Sequence, residues 1–260
     1  MAKTALITGG AKRLGRAMAL HLAAKGTNVV IHYSSSVESA EETAEDARAF
    51  GVKAAVVHAD LLNVDDTATL VARAVEAIGE PLDILINNAS IFEYDSLQSA
   101  TFESWERHIN SNLRAPVFLT QTFAKQVRNA ELDENGEPKA SACVVNMVDM
   151  RVLKLTPEFA TYTLAKAGLW AFTQTAAQSL APHIRVNAIG PGPTMQGTRQ
   201  TAKHFAKQRA STILERGSNA GEICKALDFI LEIDGITGQL ICLDGGQHLA
   251  WKTPDVIGVE

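Results

Sequence analysis

The stretch ALITGGAKRLGRAMALHLAAKG (5–26) joins two kinds of pattern. ALIT is a short unbroken apolar run, as expected of a strand covered on both faces. Beyond the glycines, Leu14, Met18 and Leu22 recur every fourth residue and mark one helical face, with Gly26 placed to end it. Between them lies TGGAKRLG (8–15), a tight turn from strand to helix. Gly9 permits the turn, and Gly15 permits close packing of the helix against it. A helix N-terminus presents unpaired N–H groups that suit a phosphate. One residue breaks the pattern: Arg13, a long cation, stands where such turns favour glycine.

The alternation continues outward. NVVIHY (28–33) precedes a charged helical stretch at 37–50, and VKAAVVHA (52–59) precedes another around 65–78. LDILINNA (82–89) reads as a fourth strand, followed by helical pattern through 101–128. ACVVNMV (142–148) is a fifth strand, 158–181 is helical, and IRVNAIG (184–190) and QLICLDGG (239–246) are the sixth and seventh strands. Strands that are continuously apolar, rather than alternating, lie between helix layers. The expectation is one doubly wound α/β domain of Rossmann type, with a parallel sheet and right-handed crossovers. The domain is expected to span residues 1–251, with 193–217 forming a lid and 252–260 a tail. NAELDENGEPKA (129–140) is polar and acidic and reads as a solvent-exposed loop.

Composition narrows the function classes. With 260 residues, 46% of them hydrophobic and 20% charged, the chain can bury a sizeable core without staples. A formal charge of −5 counts against a nucleic-acid binder. Cys143, Cys224 and Cys242 form no CxxC pair and read as buried reduced thiols, in keeping with a cytoplasmic protein and no metal site. MAKTALITGG offers too short an apolar core for a signal peptide. No run approaches the ~18 apolar residues of a membrane span.

In a doubly wound sheet, ligands bind beyond the carboxyl ends of the strands. The second strand ends IHYSSSVE, with no acid before Glu38. An acid there would bind a ribose hydroxyl and repel a 2′-phosphate. His32, Ser34, Ser35 and Ser36, with Tyr33 among them, are potential phosphate donors instead, within reach of Arg13, so NADP(H) is expected over NAD(H). The plainer reading makes His32 a packed strand residue and the serines a turn. After the third strand, Asp60 and Leu61 are placed to meet an adenine, although an aspartate there more often caps the next helix. Asn87 and Asn88 can tie neighbouring strand ends together, with Ala89, Ser90 and Phe92 following toward the cleft. Tyr162 and Lys166 stand at i and i+4 on one helical face. An ammonium beside a phenol favours the phenolate, and the pair suits proton transfer to a carbonyl or imine. Asp149, at an apolar strand end, reaches the same cleft edge or caps the next turn. Pro116 lacks an N–H and crowds the carbonyl of Asn112, which predicts a kink and a carbonyl open to water. In IGPGPT (189–194), Pro191, Gly192 and Thr194 form an irregular turn that can cover a nicotinamide carboxamide or simply break the strand.

In order and spacing, TGGAKRLG, NNA, Asn112, Tyr162/Lys166 and PGPT resemble the short-chain dehydrogenase/reductase superfamily over essentially the whole chain, to the LDGG turn at 243–246. The resemblance implies a seven-stranded parallel Rossmann sheet, a nicotinamide cofactor and an Asn–Ser–Tyr–Lys tetrad. Two positions depart from it: Arg13 replaces a glycine and Asp149 replaces the serine. Both departures resemble the pteridine reductase branch and the bacterial dihydromonapterin reductases. That resemblance implies that Phe92 stacks on a pterin against the nicotinamide, and that Arg13 contacts cofactor phosphate and pterin. It implies proton donation by Tyr162 with help from Asp149, ribose binding by Lys166, and a relay water on the Asn112 carbonyl. A basic residue that the branch often carries after the second strand is absent, Ser34 and Ser35 standing there. The expected activity is NADPH-dependent reduction of a dihydropterin C=N bond. A carbonyl reductase, such as a 3-oxoacyl thioester reductase, is the alternative. A non-catalytic NADP(H) sensor is a third reading, against which the Tyr162/Lys166 pair stands. Family analogy implies a homotetramer with QHLAW (247–251) in an interface. Lys203, His204, Lys207 and Arg209 make the lid basic, either for an anionic tail or, more simply, as a solvated helix face.

Overall fold

A computed structural model describes residues 2–197 and 200–253. Its centre is a parallel sheet of β1 (Thr4–Ile7), β2 (Asn28–Tyr33), β3 (Ala54–His58), β4 (Ile84–Asn87), β7 (Ala142–Met147), β8 (Ile184–Pro191) and β9 (Leu240–Leu243). The order β3-β2-β1-β4-β7-β8-β9 reverses direction between β1 and β4, which creates the crevice where ligands of such sheets bind. The register places Leu6 beside Val30 and Leu85, and Val145 beside Ile86 and Asn187. β1, β4 and β7 are buried at every position, as their unbroken apolar runs predict. β5 (Glu131–Leu132) and β6 (Pro138–Lys139) form a small exposed antiparallel hairpin inside the tract read as a loop. Its turn is drawn together by Asp133 Oδ1, which accepts from the amides of Asn135 and Glu137.

Helices cover both faces. On one side, α1 (Arg13–Ala24), α2 (Val37–Arg48) and α8 (Ala220–Glu232) bury Met18, Leu22, Ala44, Ile223 and Leu227 against the sheet. On the other, α3 (Val64–Ile78), α5 (Ala115–Gln126) and α6 (Ala160–Leu180) bury Leu70, Leu119, Phe123 and Ala177. α1 ends as expected, with Gly26 at φ +83° and its amide on Ala23 O. α3 is capped by Asn63, which accepts from the amides of Asp65 and Asp66. Asp60 therefore does not cap it; its carboxylate accepts instead from Leu62 N–H in the preceding turn. α8 starts with a capping box, Asn219 and Glu222 exchanging side-chain bonds with each other's amides.

α4 (Phe102–Ile109) runs into α5 through a π-helical turn at Asn110–Arg114, and the Ala115 amide bonds five residues back to Asn110 O. The disruption predicted from Pro116 is thus one extra residue wound into the helix rather than a simple kink. The region 193–217 contains α7 (Ala202–Ala210), which buries no residue. Three cysteines are free, and burial pushes their thiols up to about 11. No helix among the described residues is long and apolar enough to cross a membrane. Most of the expected tail, residues 254–260, lies outside the described residues.

Candidate active site

The β1–α1 turn is built around two missing side chains. Gly9 adopts φ +62°. A Cβ on Gly15 would come within 2.1 Å of Gly9 O and 2.7 Å of the Asn88 amide nitrogen, so the helix approaches the turn at backbone distance. Asn88 Nδ2 donates to Thr8 O and Gly9 O, and the Thr8 hydroxyl accepts from the amides of Asn88 and Ala89. One strand over, Asn87 Nδ2 donates to Asn146 Oδ1 at 2.8 Å, and Asn146 donates to Thr173. The paired asparagines do tie strand ends together.

Of the two readings of His32, the structure shows the packed strand residue and not the phosphate donor. Its ring is buried, Nδ1 accepts from Gly9 N–H at 3.0 Å, and Nε2 therefore carries the proton donated to Ala59 O at 3.0 Å. Burial holds the imidazole down at about 4, neutral and spent as a strut. With Gly9 and Gly10 amides both bonded to His32, the anion-facing donors of this turn are those of α1 itself. That helix has no side-chain cap and no acid in its first turn. Tyr33 packs edge-on against His58, and Ser34, Ser35 and Ser36 follow without an acid. Leu61 is buried in the core under α3, not presented to a planar ligand as expected.

Arg13 sits at φ +54°, the left-handed region that glycine normally occupies. Its exposed guanidinium crosses to the loop after β8, donating to Gln196 O at 2.8 Å and Met195 O at 3.3 Å. The Thr194 hydroxyl does not face a ligand: it is buried and bonded to Gly192 O and the Ser218 hydroxyl, so it closes the loop on itself. Pro191 ends β8, and a Cβ on Gly192 would strike Asp244 at 2.5 Å.

The chemistry converges at the end of β7. Asp149 Oδ1 accepts from Arg151 N–H, capping a 3-10 turn at Met150–Leu153, while Oδ2 accepts from the Tyr162 hydroxyl at 2.9 Å. The two roles weighed for Asp149 coexist, one on each oxygen. Burial raises the Asp149 carboxyl, partly offset by the Arg151 and Tyr162 bonds. Burial and the Asp149 charge together hold Tyr162 well above the ordinary phenol range. This corrects the expectation that Lys166 lowers the phenol. Lys166 Nζ donates to Met147 O at 2.7 Å, and burial drops its own value to about 8. It stands 5.7 Å from the Tyr162 ring centroid.

Asn112 is buried, its amide exchanging two bonds with the Ile91 backbone, and thereby holds the Ser90–Phe92 segment beside Tyr162. Phe92 is half exposed, edge-on to Tyr162 at 4.7 Å and stacked on Phe159 at 4.4 Å and 9°. One ring face is thus covered by a residue that the sequence reading missed. Phe159 adopts φ +56° at the start of α6 and carries Arg151 over its ring at 5.1 Å.

A second missed group lies behind Tyr162. His108 Nε2 accepts from Glu93 N–H, so Nδ1–H donates to the Thr161 hydroxyl at 2.7 Å, which in turn donates to Asp95. Asp95 also accepts from Thr161 N–H and the Ser104 hydroxyl. Burial opposes its charge, but these bonds outweigh it and keep the carboxyl below its ordinary range. Asp95 therefore holds the first turn of α6 from outside, at Thr161, the neighbour of Tyr162. It lies 66 positions from Thr161 in the chain, so no local pattern announces the pairing.

Comparison with known proteins agrees with this architecture. The short chain dehydrogenase family matches residues 3–209. FolM alternative dihydrofolate reductase 1 from Brucella canis, complexed with NADP, is 41% identical, with a TM-score of 0.90 over 98% of this chain and 97% of that one. A short chain dehydrogenase from Burkholderia cenocepacia, in complex with NADP, is 29% identical, with a TM-score of 0.84 over 95% of this chain and 98% of that one. The 3-oxoacyl-[acyl-carrier-protein] reductase FabG of Staphylococcus aureus is 29% identical over 96% of this chain and 99% of its own length. A reversing parallel sheet, a glycine-lined turn at its crevice and a tyrosine–lysine helix face beside it, matched over 3–209, place the chain in the short chain dehydrogenase family.

Proposed function

We propose that this chain is an NADPH-dependent reductase of a dihydropterin-type C=N bond. The observation that carries the reading is the hydrogen bond between Tyr162 and Asp149, where a carbonyl reductase of this family would place a serine. Support comes from Phe92 at the cleft edge and from the 41% identity to a FolM alternative dihydrofolate reductase. NADP(H) fits the residues present: α1 begins with uncapped amides, Gly15 leaves room at backbone distance, and Ser34–Ser36 carry no acid to repel a 2′-phosphate. Gly9, Leu14, Gly15, Asn88, Ala89, Ser90, Pro191 and Gly192 line that path, with Arg13 beside it and Asp60 exposed at its far end.

The cofactor, when bound, supplies a hydride to the substrate carbon. Tyr162 supplies the proton to the ring nitrogen, so that C=N becomes CH–NH. Burial keeps the phenol protonated at neutral pH, as a donor must be. Asp149 has a raised carboxyl pKa, and its protonated form can return a proton across the 2.9 Å bond to the tyrosine oxygen. Lys166 uses one of three N–H donors on Met147 O and keeps two for a ribose. The Asn112 carbonyl, in the π turn, holds the water that reconnects this site to solvent. Phe92 covers one face of the pterin, with Phe159 backing it.

NADPH oxidation is the test, with dihydrobiopterin, dihydromonapterin and dihydrofolate as acceptors. Turnover with none of them overturns the reading. Similarity to the FabG protein favours a second one, reduction of a 3-oxoacyl thioester. It wins if such a thioester outruns every pterin and Asp149→Ser raises that rate. We further propose a homotetramer, because Leu249 and Trp251 are 61% and 64% exposed at the expected interface. A monomer by light scattering overturns that proposal.

A further inference from the structure

A groove of about 380 Å³ opens between the end of the Met150–Leu153 turn, the helix α7 and the C-terminal turn at Gln247. Lys154, His204 and Lys207 supply its basic groups, and Gln208, Ser211 and Gln247 its neutral polar ones; Leu249 and Trp251, the residues offered for a subunit interface, do not line it. No carboxylate lines it, although acidic residues outnumber Lys and Arg by 29 to 24 in the chain. Among the described residues Lys154 and Lys207 have no carboxylate partner that would neutralise them, as Lys25, Lys53 and Lys139 do. Lys154 Nζ donates to Gln247 O at 3.3 Å, which fixes the ammonium on the groove wall and leaves two donors unspent. A cation fixed in advance costs less entropy when an anion binds.

The groove is joined to the chemistry by the turn between Asp149 and Lys154. The 3-10 turn begins at its cap, Asp149, and ends at Lys154. At roughly 2 Å of rise per residue, Lys154 lies about 10 Å from Asp149 along that axis. A pterin side chain that reaches it must be long and must end in negative charge.

We infer that this groove is a subsite for the carboxylate tail of an extended pterin, such as the aminobenzoyl-glutamate of a folate. The inference rests on the pterin reading above. It also assigns a task to a lid helix whose basic face would otherwise be merely solvated.

The test is the double variant Lys154→Ala/Lys207→Ala, assayed with dihydrofolate and with tail-less dihydrobiopterin. KM for dihydrofolate should rise about tenfold, with kcat and the dihydrobiopterin constants unchanged. Added salt should erase the difference between wild type and variant. Independently of turnover, saturation-transfer NMR with p-aminobenzoyl-glutamate should show contact in the wild type and none in the variant. That arm tests the groove even if no pterin is reduced. Equal effects on both pterins, no effect on dihydrofolate, or a changed oligomeric state in the variant overturns the inference.

Discussion

The Tyr162 hydroxyl donates to Asp149 Oδ2 over 2.9 Å, so the proposed acid and its proton reservoir share one hydrogen bond. Asp149→Asn keeps the size and the hydrogen bond but removes the titrating proton. It should lower kcat at least about tenfold while KM and NADPH affinity stay within about twofold, because the lost interaction acts in the transition state. Tyr162→Phe should lower kcat by about 10²–10⁴. Stopped-flow NADPH oxidation separates the effects. An Asp149→Asn protein with full kcat would remove Asp149 from the proton path.

Lys166 predicts the alkaline limb of the pH profile. Burial depresses its value to about 8, so its ammonium is lost earlier than that of an ordinary lysine as pH rises. Since kcat/KM reports the free enzyme, it should be level below that value and fall about tenfold per unit above it. The stability sign is opposite. The unfolded chain holds the proton up to about 10.4, so stability rises with pH between about 8 and that point. Lys166→Arg should move the alkaline limb beyond the measurable range. An unchanged limb in that variant would assign it to another group.

Arg13 predicts a cofactor preference that is separable from stability. Arg13→Gly relieves a side chain held at φ +54°, worth about 1 kcal/mol, and gives up two exposed bonds to Met195 O and Gln196 O. Tm should hold or rise. NADPH affinity should fall at least about tenfold, with NADH affinity little changed, as expected for loss of a charge-assisted contact. Fluorescence titration with both nucleotides checks it, and equal losses would take Arg13 out of phosphate recognition.

The central strands were readable because each is buried on both faces, so composition alone marks them. The glycine turn was readable because a Cβ at 15 meets backbone at 2.1 Å, which leaves the sequence no freedom. What escaped depends on direction and on distant partners. His32 lies on an acid-free strand end like its neighbours, but its ring points inward to Gly9 N–H. The Thr194 hydroxyl is consumed by Ser218, and no local pattern announces that pairing. The phenol's shift takes the opposite sign because burial and then the facing Asp149 charge raise it, while Lys166 donates to Met147 O. Helix α7 buries nothing, so no apolar period exists to find. Helix α8 does carry its signal, the Asn219/Glu222 box ahead of Ile223, Leu227 and Ile230.

Asp95 predicts control of the reacting tyrosine from outside the cleft. Asp95→Asn cannot accept as strongly from both Thr161 groups, so the first turn of α6 loosens and Tyr162 loses its bearing. As a positioning effect this should lower kcat about tenfold with little change in NADPH affinity, and cost about 1–2 kcal/mol in stability. Asp95→Glu should restore part of the stability but not kcat. A variant with wild-type kcat and lowered Tm would reduce Asp95 to a structural tie.

The π turn at Asn110–Arg114 takes up one extra residue inside a helix that serves two clients. Ahead of it, His108 is aimed at the Tyr162 helix; beyond it, Leu119 and Phe123 are aimed at the sheet. The extra residue is absorbed within the turn, so the two flanks keep their faces while the residues inside it are re-aimed. Deleting one residue from 110–114 would close the bulge into a regular α-helix and leave both flanks in place, yet take Asn112 off the Ile91 backbone that it holds. The wound-in residue serves the cleft rather than the core.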